Sequence, residues 1–162
     1  MYQINTIENN FTIPKIGILT IKGYSKSTYR TGYLIKPYNI YLDAGLPSPI
    51  PTSLILVSHG HLDHIASLYS LLVHSKKSVV MLPRQILSNT QLMLDSFKAL
   101  NSDYNTSFRN WKPITLSEYN TTINNKKLYI KTFELDHSVK CQAYGVSQIH
   151  RKLKKEYIGI PG

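Results

Sequence analysis

Four side chains able to hold a metal ion fall within six residues: His59, His61, Asp63 and His64, spaced H-x-H-x-D-H directly after the apolar run Leu54-Ile-Leu-Val57. Imidazole nitrogen and carboxylate oxygen both bind Zn²⁺ at about 2.0–2.2 Å, so one turn carrying all four can surround metal without large rearrangement. In an extended segment alternate residues share a side. His59 and His61 therefore point together, leaving Asp63 and His64 to reach a neighbouring position, while Gly60 relieves crowding at the turn. A polar loop that merely happens to be His-rich is the bland alternative. The density of ligand types behind a buried strand argues against it.

Two further residues invite chemistry less strongly. His137 follows an alternating segment, Leu128 to Leu135, as the pair Asp136-His137. Taken alone, a histidine in that setting is ordinarily a satisfied polar residue. Asp43 closes Asn39-Ile-Tyr-Leu-Asp-Ala-Gly45. On sequence it serves equally well as a turn cap or as a carboxylate that orients a ligating imidazole. His74 follows an apolar helix and reads as a surface residue. Cys141 reads as a small packing residue, and neither it nor His150 is given a role. One cysteine among 162 residues excludes an internal disulfide and a Cys-rich zinc knot.

The elements that must position these residues alternate between strand and helix. Ile16 to Ile21, Tyr33 to Ile35 and Asn39 to Gly45 read as short strands, followed by an extended link through Pro49 and Pro51. Leu54 to Val57 is apolar throughout, which predicts an interior strand. Ile65, Leu68, Leu71 and Leu72 predict a helix over 65–72, and Ile86 to Phe97 give a second over 85–100. Between them Val79 to Leu82 makes a strand halted at Pro83. A surface loop is expected over Asn101 to Asn110, then strands over Leu128 to Leu135 and, more weakly, Gln142 to Val146. This alternation predicts one α/β (α+β) domain over 1–162.

The hydrophobic fraction of 42% supports a packed core, and no apolar run approaches a membrane span. The polar N-terminus lacks a signal-peptide layout, which points to the cytoplasm or nucleus. The net charge is +10, and from Asn120 onward eight basic residues face only Glu134, Asp136 and Glu156. Such an excess attracts polyanions, nucleic acid among them, although a solvated basic surface would look the same.

The H-x-H-x-D-H cluster resembles the signature of the metallo-β-lactamase superfamily. Four segments are similar to the tRNase Z (ribonuclease Z) family within it, in its short plant-like form. They are Ile21-Lys-Gly-Tyr-Ser25, Tyr41-Leu-Asp-Ala-Gly45, Ser58-His-Gly-His-Leu-Asp-His-Ile65 and Arg151-Lys-Leu-Lys-Lys-Glu-Tyr-Ile-Gly159. The resemblance corresponds to roughly the first half of a family member, and the unfinished look of Lys155 to Gly162 agrees. It implies an αββα sandwich, with 147–162 beginning a basic arm in which Arg151, Lys152, Lys154 and Lys155 grip tRNA. It implies two Zn²⁺ ions, the first held by His59, His61 and His137 and the second by Asp63 and His64. Asp63 would orient and deprotonate water, and Asp43 would accept the other N–H of a ligating imidazole. The substrate implied is precursor tRNA, cleaved by an endonuclease that removes the 3′ trailer.

The family's second half supplies the other sheet, a metal-bridging Asp and a last His ligand, and no such motif follows His137. The chain alone is therefore expected to be a poor catalyst and to expose the apolar inner face of its sheet. A C-terminal half in another chain or a homodimer would complete it. Gln142-Ala-Tyr144 also departs from the family's Gly-Tyr pair. A non-catalytic tRNA- or protein-binding relic and another hydrolase of the superfamily stay open beside the nuclease.

Overall fold

The computed structural model describes residues 5–75, 77–101 and 111–150. The chain first folds as an antiparallel meander of β1 (Ile7–Ile13), β2 (Gly17–Lys26), β3 (Arg30–Lys36) and β4 (Ile40–Leu42). It then switches to parallel pairing through β5 (Leu54–Leu56), β6 (Ser78–Met81) and β7 (Trp111–Ile114), so that seven strands lie in sequence order in one sheet. Parallel neighbours need crossovers. Helices α1 (Leu62–Ile65) and α2 (Leu68–Val73) link β5 to β6, and α3 (Leu87–Leu100), after a 3₁₀ turn, lies between β6 and β7. A second sheet of three antiparallel strands follows: β8 (Glu118–Ile123), β9 (Lys126–Leu135) and β10 (Cys141–Gln148).

The large sheet is covered on both faces at its centre. On one side Leu34, Tyr41, Ile55, Val57 and Val80 pack with Ile65, Leu68, Leu71, Leu72 and Leu94 of the helices. On the other, Ile40, Leu54, Leu56, Met81 and Ile114 meet Ile123, Leu128 and Ile130 of the small sheet. This double burial explains why Leu54 to Val57 shows no polar alternation. The arrangement is the mixed α+β, metallo-β-lactamase-like fold that the family resemblance implies.

It departs from expectation in three respects. The inner face of the large sheet is not open, because β8 to β10 already belong to the opposing sheet. β1, β7 and β8 have no counterpart among the strands expected from the sequence. Glu8-Asn-Asn10 and Tyr119-Asn-Thr-Thr122 are polar and largely solvent-facing, and they become strands through pairing with a neighbour. The β8–β9 turn carries its own signal, Asn124 and Asn125 both left-handed, as a tight hairpin requires. The helix expected over 65–72 is broken at Ala66 and Ser67. There the Ser67 N–H donates to Ala44 O and its hydroxyl to Gly45 O, contacts that a continuous helix could not make. Beyond Asn101, the expected loop lies outside the described residues.

The two sheets are tied by Tyr144. Its hydroxyl, on β10, lies 2.7 Å from Val57 O and 2.9 Å from Met81 O, at the ends of β5 and β6. Burial raises its phenol well above the ordinary tyrosine range. Replacing Tyr144→Phe keeps the ring and removes this link. Urea denaturation should show a loss of about 0.5–1.5 kcal/mol with an unchanged m-value.

Candidate metal centre

Asp43 follows β4 and takes a left-handed backbone (φ 55°), which aspartate tolerates better than most residues. Its N–H still bonds Leu56 O, continuing the β4–β5 ladder, while the turn aims its carboxylate at the end of β5. There Oδ1 accepts from the N–H and the hydroxyl of Ser58, each at 2.8 Å, and Oδ2 lies 2.8 Å from Nδ1 of His64. Both ends of the 58–64 loop are thus held by one carboxylate. With its proton given to Asp43, Ser58 Oγ accepts from Nδ1–H of His59 at 2.8 Å. This leaves Nε2 of His59 as a bare acceptor, 3.0 Å from Nδ1 of His61.

The loop is also fixed from below. Ala44 N–H donates to His64 O at 2.6 Å, and Gly45 packs so tightly that a Cβ there would sit 1.7 Å from Asp63 O and 2.6 Å from Thr31 O. A Cβ at Gly60 would meet the Ile86 side chain at a looser 3.2 Å. From the other sheet, Gln142 N–H donates to Ser58 O at 3.0 Å, which anchors the start of β10 beside the loop.

His137, on the β9–β10 connection, thereby comes to the same point as His59 and His61. One ligand atom from each of the three lies within 4.8 Å of the others. Ring centroids are 4.6 Å apart for His59 with His61 and with His137, and 5.1 Å for His61 with His137. Asp63 and His64 sit alongside, with Asp63 Oδ2 3.4 Å from Nε2 of His64 and the His64 ring 4.0 Å from that of His59. All five line a recess of about 520 Å³ whose far wall is Ser25, Ser27, Thr28 and Thr31, from the β2–β3 hairpin. Arg151, Lys152, Lys154 and Lys155 lie outside the described residues.

Three converging imidazoles form a donor set that suits zinc. Ligands at about 2.0–2.1 Å in a tetrahedral site stand about 3.3 Å apart, near the 3.0 Å found between His59 and His61. Burial pushes the His59 imidazole down to about 4, repulsion from His64 and His61 adds to this, and Asp43 opposes it. His59 is only 4% exposed and neutral near pH 7, the form in which imidazole binds metal. Ser58 was not singled out from the sequence, although a hydroxyl immediately before the first histidine was the available signal. Cys141, a packing residue on sequence grounds, stands beside the cluster. Its Sγ lies 3.8 Å from Nδ1 of His59, and burial raises its thiol.

No family model matches the chain. Two curated proteins do, each over 88% of its length. The tRNase Z TRZ1 of Arabidopsis thaliana is 28% identical over 149 residues, which are 52% of that protein. The nuclear ribonuclease Z of Triticum aestivum is 22% identical over 150 residues, or 82% of its length. The chain thus spans about half the length of the first. At the level of sequence it resembles the tRNase Z family.

The depressed His59 has a consequence for the metal-free protein. Between its unfolded value of 6.5 and about 4 the unfolded chain takes up a proton that the folded chain refuses. Folding stability should therefore be complete above pH 6.5 and fall as pH drops towards 4. Denaturation midpoints measured across that window should show a shallower fall for His59→Gln than for the unaltered chain.

Proposed function

We propose that the chain forms part of a zinc-dependent endoribonuclease of tRNase Z type, which removes the 3′ trailer of precursor tRNA. The observation that carries this proposal is the convergence of His59, His61 and His137 from two different sheets, next to Asp63 and His64. His59, His61 and His137 would hold one Zn²⁺, and Asp63 with His64 would contribute to a second. When bound, the metal supplies Lewis-acid polarisation of water and neutralises charge on a phosphodiester. The chain's own residues do the rest. Asp43 and Ser58 fix the imidazoles of His64 and His59 and leave Nε2 of His59 as the nitrogen that would hold the ion. Asp63 orients the attacking water and accepts its proton.

A basic arm beginning at 147–162, with Arg151, Lys152, Lys154 and Lys155, would bind the tRNA body. The bridging carboxylate and further histidine of a complete two-ion site would come from a C-terminal half or a second copy of the chain. Support comes from the names of the two relatives and from the +10 charge.

Zinc content after dialysis should be near one firmly held ion per chain, with a weaker second. A His59→Ala, His61→Ala double variant should lose the firm one, and equal zinc in both proteins would mean that the cluster is not a site. Where cleavage of trailer-bearing precursor tRNA is measurable, Asp63→Asn should lower it about 10²–10⁴-fold while zinc at the three-histidine position is kept.

Binding of tRNA should weaken as salt rises, because phosphate contacts release counterions. Changing Arg151, Lys152, Lys154 and Lys155 together to Ala should flatten the slope of log affinity against log salt by up to about 3 units. An unchanged slope would sink the arm assignment.

A further inference from the structure

The β2–β3 hairpin ends in Lys26-Ser-Thr-Tyr-Arg30, closed by a Tyr29 N–H to Lys26 O bond and a left-handed Thr28. Lys26 and Arg30 are direct cross-strand partners. Like charges placed opposite each other in this way repel. Among the described residues neither has a carboxylate partner, and from Lys15 to Lys36 the chain has five basic residues and no acidic one. Between these cations stands Tyr29, half exposed at 50%. The ammonium of Lys26 lies 6.0 Å and the guanidinium of Arg30 5.8 Å from its ring, and Tyr24 props it edge-on at 6.4 Å. The same tip supplies Ser25, Ser27 and Thr28 to the recess that holds the histidine cluster. Half of the Tyr29 ring thus stays open to solvent, flanked by two cations that have no carboxylate partner among the described residues. This is the combination that binds single-stranded nucleic acid, with a ring to stack a base and cations for the flanking phosphates.

We propose that this hairpin tip docks a single-stranded RNA segment entering or leaving the metal centre. Tyr29 stacks a base, and Lys26 and Arg30 take the adjacent phosphates. The proposal rests on the nuclease function proposed above, and it adds residues of the hairpin to the basic residues Arg151, Lys152, Lys154 and Lys155 as contacts for RNA.

The test is fluorescence anisotropy of a short labelled single-stranded oligoribonucleotide with the full chain, at several salt concentrations, with zinc content measured in parallel. Tyr29→Ala should weaken binding about 5- to 100-fold, and Tyr29→Phe, which keeps the stacking face, should stay close to the unaltered chain. Lys26→Ala with Arg30→Ala should flatten the salt slope by about 1.4 units, at about 0.7 per phosphate lost. All variants should retain zinc, which shows that the neighbouring site is intact. Absence of RNA binding by the unaltered chain, or unchanged affinity in Tyr29→Ala, would overturn the platform, as would equally tight binding of poly-glutamate. Zinc uptake and trailer cleavage surviving beside any of those results would leave the nuclease proposal standing. Tyr29-dependent RNA binding in a chain that takes up no zinc would instead uphold the platform and remove the hydrolase.

Discussion

The carboxylate of Asp43 is the contact on which the site's geometry turns. A largely buried acid is costly unless its lone pairs are used, and here it accepts from a backbone N–H, a hydroxyl and an imidazole. These donors are the first and last residues of the loop that bears the histidines. One group therefore closes the loop, spends the proton of Ser58 and sets which nitrogen of His59 is left bare. The left-handed backbone at Asp43 is the local strain that makes this possible, and the β4–β5 ladder holds it in place.

The donor set is divided between the two sheets. His59 and His61 belong to the loop after β5, whereas His137 hangs from the β9–β10 connection of the smaller sheet. Their convergence requires the sheets to sit in register, and that depends on the hydrophobic layer around Leu56, Leu128 and Ile130. It depends equally on two polar ties, Tyr144 to Val57 and Met81, and Gln142 to Ser58. An ion bound across this division would clamp the sandwich as well as activate water, so affinity for metal and stability of the fold are linked.

Much of this was legible in the residues. The unbroken apolar run of β5 announced burial on both faces, and the H-x-H-x-D-H spacing announced ligands. Other features were written in contacts rather than in patterns. β1 and β8 are polar, and only pairing makes them strands. The break between α1 and α2 comes from Ser67 reaching back to Ala44 and Gly45, which no helical periodicity records. Position after a strand makes His137 no more than a weak candidate, and only the family resemblance raises it above an ordinary polar histidine, because its partners lie in the other sheet. Ser58 is an ordinary residue type, and its part emerges only once Asp43 lies beside it. The opposing sheet is hard to see in the sequence because β8 carries too little apolar signal to announce a sandwich.

Gly45 lies beneath all of this. Its missing side chain lets the 58–64 loop rest directly on the backbone that leads out of β4, against Asp63 O and within reach of Thr31 O near the tip of the hairpin. Contacts between main-chain atoms barely compress, unlike a flexible side chain that can change rotamer. The glycine therefore acts as a hard stop. How deeply the histidine cluster is seated, and how far it stands from the hairpin wall, are dimensions fixed by atomic radii.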